Sequence, residues 1–281
     1  MDRKVAISDL VEAKRRGRKF AAVSCYDYTT ARLVACAGVD MILAGDSAAQ
    51  VMLGFDSTLA ATMDFMLTIT AAVGRAAPNI LLVADMPFGS YQPGIKTAIK
   101  NAGRFITQAG AGLVKIEATA AQIETIKAVS NAGIPTMPHI GLRPQSGKLK
   151  AQAATAEAAI ELIYLADKML EAGAAMLLLE GTTREVAKII TERLPIPVVS
   201  CGSGPDCDGQ ILIIPDILGQ TSGAMPKFSK SYANLGQAVI DAVKSYADEV
   251  TTGKYPDDGH CYHIKSGQME ELQKMLESEQ R

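Results

Sequence analysis

The chain has 281 residues, 48% of them hydrophobic and 21% charged, with a formal net charge of −2 at pH 7. That length and apolar content suit one large core of α/β-barrel size, about 250 residues, and the lack of basic excess argues against a nucleic-acid partner. No apolar run reaches the roughly 18 residues of a membrane span. Met1-Asp2-Arg3-Lys4 carries no signal or transit pattern. The five cysteines (Cys25, Cys36, Cys201, Cys207, Cys261) are odd in number and form no C-x-x-C pair, so reduced structural thiols in a cytoplasmic protein without a membrane partner are expected.

In chain order, Ser8 is positioned to cap a helix over 9–16 that could cover the bottom of a barrel. Apolar, β-branched runs then alternate with amphipathic segments: strand 21–25, helix 28–37, strand 41–45, helix 62–76, strand 80–84, helix 95–109, strand 113–116, helix 120–131 and strand 136–139. Helix 155–172, strand 175–179, helix 184–194 and strand 197–201 follow, with an eighth strand at 211–214 in a stretch that could equally begin a helix. Continuous apolar runs with helices between them favour parallel strands buried on both faces. The fold expected is a single-domain (β/α)₈ TIM barrel over 1–265. It includes a late helix at 235–250 stopped by Gly253, and an amphipathic tail occupies 266–281.

The chemistry lies where these runs end. Asp46, Asp85 and Glu117 follow three successive strands, and a carboxylate closing a buried strand is costly without a task. Oxygen-only ligands suit Mg²⁺ or a similar hard cation, with helix caps and loop ion pairs as the alternative. Lys115, two residues before Glu117, shares its face of the strand, as a structural ion-pair partner or as a grip on a substrate oxyanion. Ser47 offers a hydroxyl beside Asp46, and His139 closes the next strand either as a hydrogen-bonding partner of the site or as a core histidine. Glu180 follows Met176-Leu177-Leu178-Leu179, a setting that should desolvate it and suit it to general-base work, unless Arg184 neutralises it from the next helical turn. Cys201-Gly202-Ser203-Gly204 sits where barrels often bind phosphate.

Taken together, Tyr26-Asp27-Tyr28, Gly45-Asp46-Ser47, Asp56-Ser57-Thr58-Leu59, Ala84-Asp85-Met86-Pro87-Phe88, Val114-Lys115-Ile116-Glu117 and His139-Ile140-Gly141-Leu142 with Pro144-Gln145-Ser146 form an ordered set. Leu179-Glu180, Gly202-Ser203-Gly204 with Asp208-Gly209-Gln210, and Pro226-Lys227-Phe228 extend it. With these motifs the chain resembles the ketopantoate (3-methyl-2-oxobutanoate) hydroxymethyltransferases over most of residues 5–263. The resemblance implies one Mg²⁺ per subunit held by Asp46 and Asp85 with Glu117. It implies substrate contacts from Asp46, Ser47, Asp85, Lys115 and His139, and Glu180 as proton acceptor. It also implies 5,10-methylenetetrahydrofolate as co-substrate of a metal-stabilised enolate, and a cytoplasmic homodecamer.

The chain departs from the family pattern in a shorter loop at 147–152, in Ala49-Gln50, Ala60 and Thr68-Ile69-Thr70, and in lacking the usual Glu before His260. Two other functions stay open at this point. One is an aldolase-like or phosphoenolpyruvate mutase/isocitrate lyase-like barrel acting on another 2-oxo acid, although no cysteine here lies in the Lys-Lys-Cys-Gly-His context of the lyase branch. The other is a barrel that binds without turnover.

Overall fold

A computed structural model describes residues 3–145, 152–221, 223 and 225–279; the shortened loop noted above falls largely outside them. The chain clusters into two compact units, 1–233 and 234–281, a boundary earlier than the 265/266 division drawn from the sequence.

The first unit is a closed, all-parallel barrel in sequential order. Its strands are β1 Phe20–Ser24, β2 Met41–Ala44, β3 Leu81–Asp85, β4 Leu113–Glu117, β5 Thr136–Gly141, β6 Leu177–Glu180, β7 Val198–Cys201 and β8 Gly209–Ile213. Closure is made by β1 on β8, with Ala22 opposite Ile211. The ambiguous eighth segment is both things in turn: β8 ends at Ile213 and a helix, Ile214–Leu218, starts at the next residue.

Strand alternation sorts the side chains into two cores. Ile42, Leu82, Val114, Leu177 and Val198 pack outward with helix residues such as Met66, Phe105, Ile126 and Ile190. Inward, Phe20, Met41, Leu81, Leu113, Met137 and Met176 fill the lower barrel, and Leu43, Val83, Leu178, Val199 and Ile211 lie above them. Phe20 fits only because β8 opens on glycine: a Cβ on Gly209 would stand 2.3 Å from the Phe20 ring.

The bottom is sealed by α1, Ile7–Arg15, whose Leu10 is fully buried in the inner core. Ser8 is not its cap. The helix starts two residues earlier, with Ala6 as the cap residue and the Asp9 carboxylate accepting the Ala6 N–H at 2.8 Å. A carboxylate at the third helical position reaches back to that N–H more readily than a hydroxyl already inside the first turn. Lys14 then ties α1 to the barrel floor, donating to Asp208 Oδ2 and to the Thr191 carbonyl, each at 2.7 Å.

The covering helices include α2 Tyr28–Cys36, α4 Met63–Ala76, α5 Ile95–Ala109, α6 Ile123–Asn131, α7 Ala156–Glu171 and α8 Arg184–Arg193, with the short α3 Ala48–Val51 after β2. Asp27, Thr62 and Thr155 cap α2, α4 and α7 through their side chains. The Ile214–Leu218 helix is α9. The second unit holds α10, Leu235–Thr251, and α11, Gln268–Glu279, with Tyr255 set edge-on to Tyr246 at 5.6 Å. Among the described residues, no helix is long and apolar enough to cross a membrane.

Candidate active site

The inward series changes character at the carboxyl ends of the strands. Leu81 and Val83 lead to Asp85, Leu113 to Lys115 and Glu117, Met137 to His139, Leu178 to Glu180, and Val199 to Cys201. A period of two therefore aims every one of these groups at the same mouth, above two apolar layers that keep the barrel closed beneath them. Asp46, Ser47, Asp85, Lys115, His139 and Glu180 line one cavity of about 370 Å³.

At its polar side, Lys115 Nζ holds both oxygens of Asp85, at 2.8 and 2.7 Å, and both residues are buried. Burial pushes the Asp85 carboxyl above its ordinary value, with the charge of Asp46 adding to the effect and Lys115 opposing it. Burial alone would lower the Lys115 ammonium, but the charges of Asp85 and Asp46 outweigh it and hold Lys115 above its ordinary value. The Asp46 backbone N–H also donates to Asp85 Oδ2 at 3.0 Å, so the loop after β2 is registered on the end of β3.

The sequence reading gave no role to Gln145, which organises the acids. Its side-chain amide donates to Asp46 Oδ2 at 2.7 Å and to the Met86 carbonyl at 3.2 Å, and its backbone N–H donates to Glu117 Oε2 at 2.8 Å. Tyr91 completes the arrangement, its hydroxyl donating to Gln145 Oε1 at 2.7 Å with the Glu117 carbonyl at 3.2 Å. Glu117 is thus buried behind Gln145 and is not among the residues lining the cavity. Tyr26 is a second unanticipated partner: its hydroxyl and Ser47 Oγ lie 2.8 Å apart. The only sequence signal for either was membership of an ordered motif, because both act through space on residues far along the chain.

Across the cavity, Glu180 Oε2 lies 3.2 Å from His139 Nε2. The ring is 1% exposed, yet neither nitrogen has an aligned hydrogen-bond partner among the described residues. Arg184 does not neutralise Glu180; it binds Asp206, Nε to Oδ2 at 2.6 Å. Gly141, at φ +92°, lets the end of β5 fold over β6, where the Leu142 N–H reaches the Glu180 carbonyl at 2.8 Å. The glycine turn after β7 is not an open phosphate cradle. The Ser203 hydroxyl donates to the Leu179 carbonyl at 2.9 Å and accepts the Thr182 N–H at 3.0 Å, bracing β6 against β7.

Among the described residues, no three His, Cys, Asp or Glu side chains converge as a metal-holding group. Of the carboxylates that line the cavity, Asp46 and Asp85 are directly linked to each other, the Asp46 N–H donating to Asp85 Oδ2. One or two carboxylates completed by water and substrate oxygens is how Mg²⁺ is commonly held, so this donor set fits a hard divalent ion.

A closed parallel barrel with a charged mouth, apolar beneath and acid-rich above, defines the class of TIM-barrel enzymes that work at the strand carboxyl ends. Among solved structures, the barrel is similar to 2,3-dimethylmalate lyase, a PEP mutase/isocitrate lyase superfamily member, with a TM-score of 0.58 at 17% identity over 98% of this chain and 97% of that one. It is also similar to phosphonopyruvate hydrolase in complex with oxalate and Mg²⁺, with a TM-score of 0.56 at 18% identity over 97% and 98%. At those identities the likeness is one of fold. The sequence goes further: residues 4–258 match the model of the ketopantoate hydroxymethyltransferase family, and the chain belongs to it. A relative from Hyperthermus butylicus, named 3-methyl-2-oxobutanoate hydroxymethyltransferase, is 47% identical over 277 residues, covering 97% of this chain and 96% of that one.

Proposed function

We propose that this enzyme transfers a hydroxymethyl group from 5,10-methylenetetrahydrofolate to 3-methyl-2-oxobutanoate, giving 2-dehydropantoate and tetrahydrofolate in pantothenate biosynthesis. The observation that carries the proposal is one cavity with Asp46, Asp85 and Lys115 on one side and Glu180 beside His139 on the other, in a chain of this family.

Asp46 and Asp85 would hold one Mg²⁺ per subunit, with Glu117 supporting them from behind through Gln145 instead of as a direct third ligand, and the ion would supply an electrophilic pull on the keto oxygen that acidifies the neighbouring C–H. Lys115 neutralises Asp85 and sets positive charge where the substrate carboxylate enters. Ser47, steadied by Tyr26, offers that carboxylate a hydroxyl. Glu180 takes the proton from C3, and His139, its Nε2 3.2 Å from that carboxylate, faces the substrate from the same wall. Water supplies the oxygen of the one-carbon unit and one proton to each of the two donor nitrogens as both of its C–N bonds break, releasing tetrahydrofolate and formaldehyde. The electron pair left on C3 then forms the new C–C bond to the formaldehyde carbon, and the formaldehyde oxygen takes up the proton held by Glu180 and becomes the hydroxyl. The proposal includes a cytoplasmic homodecamer, whose mass light scattering measures.

The test follows deuterium uptake at C3 of 3-methyl-2-oxobutanoate by NMR in D₂O with Mg²⁺, with the folate donor added in a parallel sample. Exchange, and 2-dehydropantoate once the donor is present, is expected. Glu180→Gln should slow both by about 10²–10⁴-fold while the protein still binds the ion. Folded, Mg²⁺-binding wild-type protein that neither exchanges nor makes product would sink the proposal.

A further inference from the structure

Asp216, in α9, takes no part in the chemistry above, yet it is 3% exposed and lines the same cavity. Among the described residues no lysine or arginine pairs with it. Its carboxylate is held by hydroxyls from one downstream segment: Thr221 Oγ1 donates to Oδ1 at 2.5 Å and Ser229 Oγ to Oδ2 at 2.6 Å. Ser231 Oγ donates to its carbonyl at 2.8 Å, and the Tyr232 N–H donates to the Ile217 carbonyl at 2.8 Å. A buried carboxylate bound only by neutral donors is costly, so an arrangement that brings two hydroxyls, from Thr221 and Ser229, to one side chain and a third, from Ser231, to its backbone carbonyl calls for a function.

The segment so gathered reaches the cavity. Pro226, Phe228 and Ser229 line it, together with Leu178 and Ile211 from the strands. The Phe228 ring lies directly on Gly202, where a Cβ would stand 2.4 Å from its Cδ1. Gly202 has φ +70° and follows Cys201, the residue opposite Glu180 in the β6–β7 register. The cavity therefore has two faces: a charged one built from strand ends and an apolar one completed by Phe228. A 2-oxo acid that turns its carboxylate and keto oxygens to Asp46, Asp85 and Lys115 must direct its alkyl group elsewhere, and the apolar face is the surface without a desolvation cost for it.

We propose that Asp216 is a positioning residue that pins Phe228 over Gly202, and that the wall so formed selects the branched alkyl group of the 2-oxo acid. This rests on the assignment of a 2-oxo acid to the cavity and of Glu180 as the base. Selection by one or two methyl groups against an apolar wall amounts to about 10–200-fold.

The experiment uses the full chain with Mg²⁺ and reads deuterium exchange at C3 for 3-methyl-2-oxobutanoate and for its straight-chain analogue 2-oxobutanoate. It compares wild type with Asp216→Ala and Phe228→Ala, and hydrogen exchange of the backbone amides over 225–232 is measured alongside. In both variants the preference for the branched acid should shrink about tenfold through its KM, with the maximal exchange rate held within about threefold. In Asp216→Ala the amides of Ser229 and Tyr232 should exchange faster while those of β1–β8 do not. The substrate ratio is independent of the fraction folded, so a variant that is merely less stable does not mimic this result. An unchanged ratio in both variants, or unchanged amides in Asp216→Ala, overturns the proposal. Wild type that exchanges neither acid instead overturns the assigned function and the selectivity with it, and the amide measurement still decides whether Asp216 holds the segment.

Discussion

At the scale of single residues, the mouth of this barrel is a problem of charge. Asp46 and Asp85 sit side by side under cover, and among the described residues the one cation bound to either is Lys115. Removing one partner of a buried ion pair leaves the other uncompensated and costs about 3–5 kcal/mol. Lys115→Met should therefore destabilise the protein by that order at neutral pH, read as a lower urea midpoint. The sign of its pH dependence follows from Asp85, whose carboxyl burial and Asp46 already push upward. Without the ammonium, protonation of Asp85 at lower pH relieves the uncompensated charge, so the stability deficit of the variant should shrink as pH falls and widen as pH rises. A deficit constant across pH 5–8 would show that Asp85 is not the group left stranded. If Lys115 receives the substrate carboxylate, as proposed, the same substitution should weaken binding of the 2-oxo acid together with stability.

At the scale of elements, the site depends on where strands stop and what crosses them. β5 and β6 meet at Gly141, whose φ of +92° and close approach to β6 admit no side chain: a Cβ would stand 2.4 Å from the Glu180 carbonyl oxygen and 2.6 Å from Thr182 Oγ1. Gly141→Ala should cost on the order of 1–3 kcal/mol from backbone strain alone. Because the clash falls on the backbone of Glu180, it should also depress C3 exchange beyond the loss of folded protein. Urea melts and exchange rates normalised to folded protein check this, and a stability loss with normal exchange would separate Gly141 from the placement of the base.

Much at this scale was legible beforehand, because strands buried on both faces announce themselves as apolar runs. The residues Asp85, Lys115, His139 and Glu180 stood out by ending those runs in the inward phase. What was hidden depends on contacts between distant segments. Gln145 reaches Asp46 across 99 residues, and nothing in its own neighbourhood marks it. Glu117 shares the inward phase of Lys115, yet the loop carrying Gln145 covers it, a fact that periodicity cannot express. The start of β8 was obscured because Gly209, needed to admit Phe20, has low strand preference. Asp9 rather than Ser8 serves the first helix because the carboxylate reaches a free N–H one turn back.

At the scale of the whole molecule, the barrel separates stability from function along its axis. The lower half is apolar and sealed by α1 through Leu10 and the Lys14–Asp208 pair. It stabilises an upper rim on which Asp46, Asp85, Glu180 and Asp216 all face one cavity with Lys115 as their sole lysine. Such a rim gains free energy from any ligand that brings positive charge, and the gain appears as stability of the entire cooperative unit. A ligand that binds the folded state alone, at 100 times its Kd, contributes about 2.7 kcal/mol. For a barrel unit of this size that corresponds to roughly 5–10 °C in Tm. Saturating MgCl₂ should therefore raise the Tm relative to NaCl at the same ionic strength, and 3-methyl-2-oxobutanoate should add a further increment only when Mg²⁺ is present. Asp46→Asn should lose both increments, because it removes a donor facing the cavity. It should also melt higher than wild type in the absence of Mg²⁺, since one of two adjacent buried carboxylates has been neutralised while Gln145 retains an oxygen to bind. Equal responses to magnesium and sodium salts, or an undiminished magnesium response in Asp46→Asn, would remove Asp46 from the ion-binding set and leave the acidic rim to Lys115 and Gln145 alone.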